Sequence, residues 1–164
     1  MAVEDKYVNS DLAAGKLAKA IASVGEKNIT MIATEEIAAA DDDGSVYRFF
    51  KDVPSTYIPV EITIMTDGIT GGTDYDLGLY KVGAGEAVVD KDVLMDGQTM
   101  ASALTRATGH QLGLQTVDIA NAASTLGTLS GQTDIDPSYD IALTGNTVGT
   151  AAGTITIIAT FAQG

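Results

Sequence analysis

The chain contains no cysteine, no tryptophan and only three prolines among its 164 residues. Without cysteine it has neither a disulfide framework nor a thiolate metal site. This composition suits a protein assembled in a reducing cytoplasm. At 16.8 kDa the chain is most simply one domain, long enough to bury a core without covalent staples.

Positive charge is also scarce. Nine Lys and Arg stand against 22 Asp and Glu, which gives a net charge of −13 and a pI of about 4.1. No basic patch is available to neutralise phosphates, so we expect no nucleic-acid partner. All nine basic residues lie at or before Arg106, and residues 107–164 carry only four acids. This neutral stretch favours buried or contacting sheet over a solvated helical face.

Long hydrophobic runs are missing as well. The most apolar run, at 155–162, is interrupted by Thr156 and Thr160 and is far shorter than the roughly 20 residues that span a bilayer. Glu4, Asp5, Lys6 and Asp11 lie close to the start of the sequence, and no uninterrupted apolar segment of a signal peptide follows them. We therefore expect a soluble protein, or part of a larger soluble assembly, with no membrane partner.

The sequence does contain apolar residues at every second position from Lys27 onward, which predicts β-strands. The predicted strands lie near 29–34, 46–50, 58–66, 75–79, 139–143 and 155–161. The side chains expected to build the core are Ile58, Val60, Ile62, Ile64, Leu77 and Leu79, with Tyr75, Tyr139, Ile141, Leu143, Ile155, Ile157, Ala159 and Phe161. This pattern predicts an all-β, antiparallel β-sandwich over residues 27–164.

Residues 1–26 have a different composition, and two structures are open for them. Ser10 could cap a helix that carries Leu17, Ile21 and Val24 on one face and ends at Gly25. The alternative is an extended arm that lies on a neighbouring subunit, because Gly15 weakens a helix. The predicted organisation is thus an N-terminal arm or short helix at 1–26, followed by the sandwich.

Asp and Gly pairs divide the predicted strands. We predict turns at Asp41–Gly44, Asp96-Gly97 and Gly145-Asn146. Residues 67–72 are predicted to interrupt the hydrogen bonding between strands. Residues 93–104 are expected to form a strand, the turn at Asp96-Gly97 and a short helical turn. Residues 117–129 are expected to form either a short helix or a loop across the sandwich.

A search for reaction chemistry gives three candidates, each with an ordinary structural explanation. His110 lacks the framing of a catalytic residue. The Gly-rich run 68–72 has neither a following Lys nor a helix that could bind phosphate. Three acidic groups could supply oxygen ligands to Ca²⁺, but Asp is common in turns for backbone reasons; they are Asp41-Asp42-Asp43, then Asp67 with Asp74 and Asp76, then Asp134 with Asp136 and Asp140. We predict no catalytic, cofactor-binding or metal-binding residue, and no enzyme.

Three stretches together resemble a known family. They read AAADDDGSVYRFFKDVPSTYIPVEI (38–62), TDGITGGTDYDLGLYKV (66–82) with VVDKDVLMDGQTMASA (88–103), and YDIALTGNTVGTAAGTITIIATFAQG (139–164). They are similar to decoration, or cement, proteins that bind outside the major capsid shell of tailed bacteriophage heads. The resemblance covers most of the chain from about Ser10, and GGTDYDLGLY and NTVGTAAGTIT are its strongest phrases. Residues 121–130 replace a stretch that is more charged and aromatic in the family.

The resemblance implies a jelly-roll-like sandwich that forms a homo-oligomer, dimer or trimer, and clamps adjacent subunits of the major capsid protein. It implies a virion protein on the outer surface of the head, made in the host cytoplasm, with no catalytic residue to transfer. Two alternatives stay open: a tail- or fibre-associated virion β-sandwich, and a module that binds a glycan or host surface. The absence of Trp argues against the glycan module.

Overall fold

The computed structural model describes Val3, the backbone of residues 5–7 and residues 28–164. In chain order, the elements of these residues are β1 (Asp5–Tyr7), β2 (Ile29–Ile37), β3 (Ser45–Pro54), β4 (Tyr57–Thr66), β5 (Asp74–Tyr80), β6 (Val88–Gln98), a 3₁₀ turn (Leu112–Leu114), α1 (Leu126–Leu129), β7 (Ser138–Thr147) and β8 (Gly153–Gln163). Within this part of the chain no helix is long and apolar enough to cross a membrane.

The described strands form two sheets, ordered β1-β3-β7-β5-β6 and β2-β8-β4. Neighbouring strands run antiparallel, except that β1 pairs with β3 in parallel over three residues. This confirms the all-β antiparallel sandwich, whereas the jelly-roll connection pattern and the boundary between residues 26 and 27 stay predictions. Apart from Val3 and β1, the predicted arm or helix at 1–26 lies outside the described residues.

The hydrophobic core lies between the two sheets. Alternate residues of β5, β7 and β8 are fully buried in it, as predicted: Tyr75, Leu77, Leu79, Tyr139, Ile141, Leu143, Ile155, Ile157, Ala159 and Phe161. Tyr47, Phe50 and Val53 of β3 join the same cluster, together with Ile29 and Met31 of β2. Full burial of one large apolar side chain is worth about 1.5–3 kcal/mol, so this cluster is the main source of stability.

The prediction that Ile58 and Val60 point into the core is wrong, because β4 contains a β-bulge. The residues on either side of Val60 pair with successive residues of β8, so Val60 is an extra residue in the ladder. An extra residue moves the inward alternation by one position. Val60 is therefore 43% exposed and Ile58 half-buried, while Ile62 and Ile64 beyond the bulge are fully buried as predicted.

Two pairs predicted to turn lie inside strands instead. Asp96-Gly97 forms a bulge in β6, in which Gly97 has a φ of 66°. Gly145-Asn146 belongs to β7, where a Cβ on Gly145 would lie 2.5 Å from Cγ2 of Val148. Gly97 is required for its left-handed backbone, and Gly145 is required because Val148 packs so close to it. Neither glycine reverses the chain.

The connection between β6 and β7 differs in part from expectation. The strand predicted from Val93 is present as the second half of β6, but the helical turn predicted after it is absent. Residues 101 and 102 form bends there, and Leu104 bridges to Thr66. Residues 117–129 combine both predicted alternatives, since turns at 118–123 lead into α1. Thr125 caps α1 by accepting a hydrogen bond from the amide of Thr128 at 3.2 Å.

Residues 104–113 also cover the edge of β4 that does not pair with β8. Leu104 and Thr66 exchange two backbone hydrogen bonds, and the amide of Ile64 donates to the carbonyl of Gly109 at 3.0 Å. A Cβ at Gly109 would lie 1.6 Å from the carbonyl oxygen of Ile64, so this approach requires glycine. The covered edge is not available for pairing with another strand.

The bulge makes a direct prediction about stability. Ile64→Ala should destabilise the protein by about 2–5 kcal/mol, because it leaves a cavity in the core. Val60→Ala, the comparison at the bulge itself, should cost less than about 1 kcal/mol, since Val60 is exposed. Urea unfolding of both variants measures the difference. Equal losses would show that Val60 is buried and that the bulge is absent.

Candidate interaction surface

The segment GGTDYDLGLY lies in the five-stranded sheet, and NTVGTAAGTIT leads from that sheet into the three-stranded one. GGTDYDLGLY includes all of β5, and NTVGTAAGTIT joins β7 to β8. Strands β5 and β7 pair directly, with Leu77 opposite Leu143. Both strands carry the pattern Tyr-Asp-apolar-small-Leu, at 75–79 and 139–143, and they are neighbours in the five-stranded sheet. Their Asp76 and Asp140 are buried rather than solvated.

Asp140 forms an ion pair with Arg48 in which both side chains are fully buried. The guanidinium Nη1 lies 3.2 Å from Oδ2 of Asp140. It also donates to the carbonyl of Lys81 at 2.9 Å, while Nη2 donates to the carbonyl of Glu86 at 3.0 Å. The guanidinium carbon stands 5.1 Å from the ring centroid of Tyr80, a cation–π distance.

This ion pair fixes the loop at residues 81–87, between β5 and β6. Both carbonyls that Arg48 binds lie in the loop, and the amide of Gly83 donates to Asp140 at 3.2 Å. The carboxylate also accepts from the amide of Asp52 at 2.8 Å. Asp52 has a φ of 54° and lies at an irregularity of β3. One buried charge pair thus holds an exposed loop and a strained backbone position together.

Asp76 has the corresponding role at the other end of the same two strands. Its carboxylate accepts from the amide of Gly97 at 2.9 Å and from the amide side chain of Asn146 at 2.6 Å, and Lys91 Nζ lies 3.0 Å away. Asp76 and Asp140 thus each bind the amide of a left-handed residue in a neighbouring strand. In both strands, the aspartate of the pattern Tyr-Asp-apolar-small-Leu fixes an irregularity in the neighbouring strand.

The pKa of Asp76 reflects these contacts. Burial on its own raises the pKa of this carboxyl group. The hydrogen bonds from Asn146, the Gly97 amide and Lys91 outweigh that effect, so the pKa lies below its usual value. In turn, the hydrogen bond to Asp76 raises the pKa of Lys91. The ionised carboxylate is therefore the form that the fold stabilises.

The Gly-rich run at 68–72 packs against other backbone, which explains its composition. The amide of Ile69 donates to the carbonyl of Met100 at 2.8 Å, and the amide of Thr150 donates to the carbonyl of Thr70 at 2.9 Å. Gly149 has a φ of 100°, and a Cβ there would lie 2.6 Å from the amide nitrogen of Gly72. The two family phrases therefore meet in a backbone-to-backbone contact rather than an anion site.

The first acidic group fixes a turn, as the sequence predicted for Asp41–Gly44. Asp41 accepts from the Tyr47 hydroxyl at 2.7 Å and from the amide of Ala38 at 3.2 Å. Burial, followed by the hydrogen bond to Asp41, raises the pKa of the Tyr47 phenol well above its ordinary value. Asp43 accepts from the amide of Val148 at 2.9 Å. These carboxylates satisfy protein donors in different places.

Asp67 and Asp136 contact different protein groups. Asp67 accepts from the amide of Thr154 at 2.8 Å, and Asp136 lies 3.4 Å from Lys81 Nζ. Across residues 28–164 no group of three or more His, Asp or Glu side chains is placed to hold a metal ion. His110 lies at the surface, with Nδ1 3.4 Å from Oε1 of Glu61 and 53% of its side chain exposed.

Sequence reasoning missed Arg48 entirely. The signal for it was its setting, a single Arg within the run Val-Tyr-Arg-Phe-Phe at 46–50. A charged residue flanked by buried aromatics needs a buried partner, because unpaired burial of an ion is too costly. Its partner Asp140 was considered only as an oxygen ligand. The pair, 92 positions apart in the sequence, could not be matched without the strand order.

Breaking the Arg48–Asp140 pair should be strongly destabilising. Asp140→Ala leaves a buried guanidinium without its carboxylate, and we expect a loss of about 3–5 kcal/mol in urea unfolding. Hydrogen exchange should also show lost protection at the Gly83 amide. As a control, Lys81→Met removes the partly exposed contact with Asp136 and should cost less than about 1 kcal/mol. Similar losses in the two variants would contradict the role of the buried pair.

Asp76 makes stability depend on pH in a defined direction. Its pKa is lowered in the folded state, so its contribution is present above the unfolded value of about 3.9 and is lost as the pH falls through the folded value. Asp76→Asn should cost about 1–3 kcal/mol at pH 7 and progressively less below pH 4. Urea titrations of both proteins from pH 7 to pH 2.5 test this. A difference that stays constant with pH would refute it.

The chain was compared with known proteins. No family model and no curated protein matches it. Among solved structures, it is similar to the capsid of Ralstonia phage GP4, with 19% identity and a TM-score of 0.44 over 82% of this chain and 84% of that chain. It is also similar to the capsid asymmetric unit of cyanophage Pam1, with 16% identity and a TM-score of 0.40 over 86% of this chain and 88% of that chain. A likeness at this level assigns no role to any residue.

Proposed function

We propose that the protein is a structural, non-enzymatic component of a bacteriophage head. It binds the outside of the major capsid shell as a homo-oligomer and stabilises the shell, as a decoration or cement protein does. The observation that carries this proposal is the family resemblance, together with the place of its phrases in the fold. GGTDYDLGLY and NTVGTAAGTIT form adjacent strands and loops that pack on each other. We expect these two segments to form a rigid part of the sandwich.

The use of the buried polar residues supports a structural role. Arg48, Asp76 and Asp140 each bind backbone amides or carbonyls, and in doing so they fix loops and bulges. A binding protein gains affinity when its contact loops are fixed in advance, because less conformational entropy is lost on binding. The buried polar residues of this sandwich stabilise its loops in that way.

The charge distribution supports a location on the outside of the capsid shell. A net charge of −13 suits the outer surface of a shell, away from packaged DNA. Residues 107–133 contain one Asp, Asp118, and no Glu, Lys or Arg, and many of them are exposed. Such a surface can be buried against a partner without leaving charges unpaired. Weak contacts of this kind become strong when many copies bind one lattice, because binding is then multivalent.

Binding to shells tests the proposal. Purified protein should sediment with assembled capsid shells that lack it, and should bind free major capsid subunits at least tenfold more weakly. Bound protein should be accessible to an antibody from outside, and decorated shells should rupture at a higher temperature than bare ones.

Three outcomes would count against this function. Failure to bind intact shells would exclude decoration. Inaccessibility to the antibody would place the chain inside the head. A few copies per particle, in place of hundreds, would favour the tail- or fibre-associated alternative.

A further inference from the structure

An amine, a carboxamide and a carboxylate meet on the face of the five-stranded sheet that points away from the core. Nζ of Lys91, on β6, donates to Oδ1 of Asn146, on β7, at 2.8 Å. The same Nζ lies 3.0 Å from Oδ2 of Asp76, on β5 between them. The side-chain amide of Asn146 donates to that same carboxylate oxygen at 2.6 Å. The three groups therefore form a closed triangle of contacts across three strands.

The backbone of β6 positions Lys91 over β5. Residues 91–94 of β6 lie opposite the single residue Gly78 of β5, so β6 bulges at this point. A Cβ on Gly78 would lie 2.1 Å from the carbonyl oxygen of Asp90 and 2.3 Å from the carbonyl carbon of Lys91. Glycine is therefore required where the bulge crosses β5. From this position the side chain of Lys91 reaches across β5 to Asn146.

The orientation of the Asn146 amide follows from its partners. Its Nδ2 faces two carboxylates, because it also donates to Oδ1 of Asp74 at 3.1 Å, and its Oδ1 faces the amine of Lys91. The reversed amide would place an oxygen against both carboxylates. Cγ of Asn146 lies one C=O bond beyond Oδ1, so Nζ of Lys91 is at most about 4 Å from this carbon. That is close to the roughly 3–3.5 Å of a conformation ready to react.

We propose that Lys91 and Asn146 form an isopeptide bond, with Asp76 as the catalytic residue. Nζ of Lys91, in its neutral form, attacks Cγ of Asn146 and forms the new C–N bond. Oδ2 of Asp76 accepts the proton that Nζ loses and passes it to Nδ2 of Asn146. The bond between Cγ and Nδ2 then breaks, and Nδ2 leaves as ammonia. The balance needs no oxidant or other reactant, and each chain reacts once, so this is a modification of the protein and not a turnover reaction.

Asp76 is placed to move this proton. Its side chain is 2% exposed, and one of its oxygens contacts both the attacking and the leaving nitrogen. A proton can therefore pass between the two nitrogens without any rearrangement of the carboxylate. This role departs from the expectation from the sequence that the chain has no catalytic residue. Lys91 and Asn146 are 55 positions apart and lie on strands that do not pair, so no local motif marks them.

Charge controls when the bond can form. The hydrogen bond to Asp76, followed by the charges of Asp76, Asp92 and Asp74, raises the pKa of Lys91, although partial burial lowers it. The ammonium form, which cannot attack, therefore dominates at pH 7, and the ion pair with Asp76 is the state before reaction. Below this pKa the neutral fraction rises about tenfold per pH unit. We expect the bond to form slowly at pH 7 and faster as the pH approaches 10.

The bond would join the edge strand β6 to β7 across β5. It would close a covalent loop between residues 91 and 146, which restricts the unfolded chain as a disulfide does. We expect the linked chain to melt about 10 °C above the unlinked chain.

Intact mass spectrometry of the full chain tests the bond. Protein kept at pH 10 should become lighter by one ammonia, about 17 Da, whereas deamidation would make it heavier by about 1 Da. Lys91→Arg keeps the positive charge but has no nucleophilic amine, so it should not lose ammonia. Lys81→Arg is the matched control, since Lys81 contacts Asp136 and should not affect the reaction. Asp76→Asn should slow the reaction at least about 100-fold, and circular dichroism should show that all three variants fold.

Tryptic digestion locates the bond. Because no Lys or Arg follows Arg106, Asn146 lies in the C-terminal peptide 107–164. In the linked protein this peptide should be joined to residues 82–106, and cleavage after Lys91 should be lost.

Three results would overturn the proposal. An unchanged mass after prolonged incubation at pH 10 would show that no bond forms. The same loss of ammonia in Lys91→Arg would show that Asn146 cyclises on its own backbone, a reaction that needs no lysine. Folded Asp76→Asn that reacts at the wild-type rate would exclude Asp76 as the catalytic residue. None of these measurements uses capsid shells, so their outcome is independent of the proposed function.

Discussion

The buried ion pair between Arg48 and Asp140 is the constraint on which much of the molecule depends. It joins three strands and the loop at 81–87, since Arg48 lies on β3, Asp140 on β7 and the loop follows β5. Removing two charges from water is costly, and the cost is offset here by backbone groups that need partners. Those groups include the amide of Asp52, whose left-handed conformation would otherwise be strained. Stability and loop position are therefore set by the same contacts.

The strands of the sandwich could be predicted from the sequence, because one buried face produces an alternation that is visible without coordinates. The pattern identified the inward residues of β5, β7 and β8. It failed at Ile58 and Val60, where a bulge shifts the alternation. Pro59 beside the bulge is typical of strand edges and bulges, but it does not show how the alternation moves. It also took Asp96-Gly97 and Gly145-Asn146 for turns. The same residues serve turns, bulges and close packing, and only the neighbouring strand decides among these uses.

The interaction surface was harder to predict for the same reason. The pairing of Arg48 with Asp140, and the groove beside β4, join residues that are far apart in the sequence. A neutral, uncharged stretch at 107–133 could be identified as a contacting region from composition. Its shape could not, because the groove exists only where the bulge of β4 turns Val60 outward against Val117 and Leu114. The bulge that makes the core prediction wrong at Val60 also turns this residue to the surface.

A cryo-EM map of virions that contain this chain tests the account most directly. We expect density for the sandwich on the outer surface of the head, in hundreds of copies, in contact with the major capsid protein. Density on the inner surface of the shell, or a few copies confined to the tail, would contradict the proposed function.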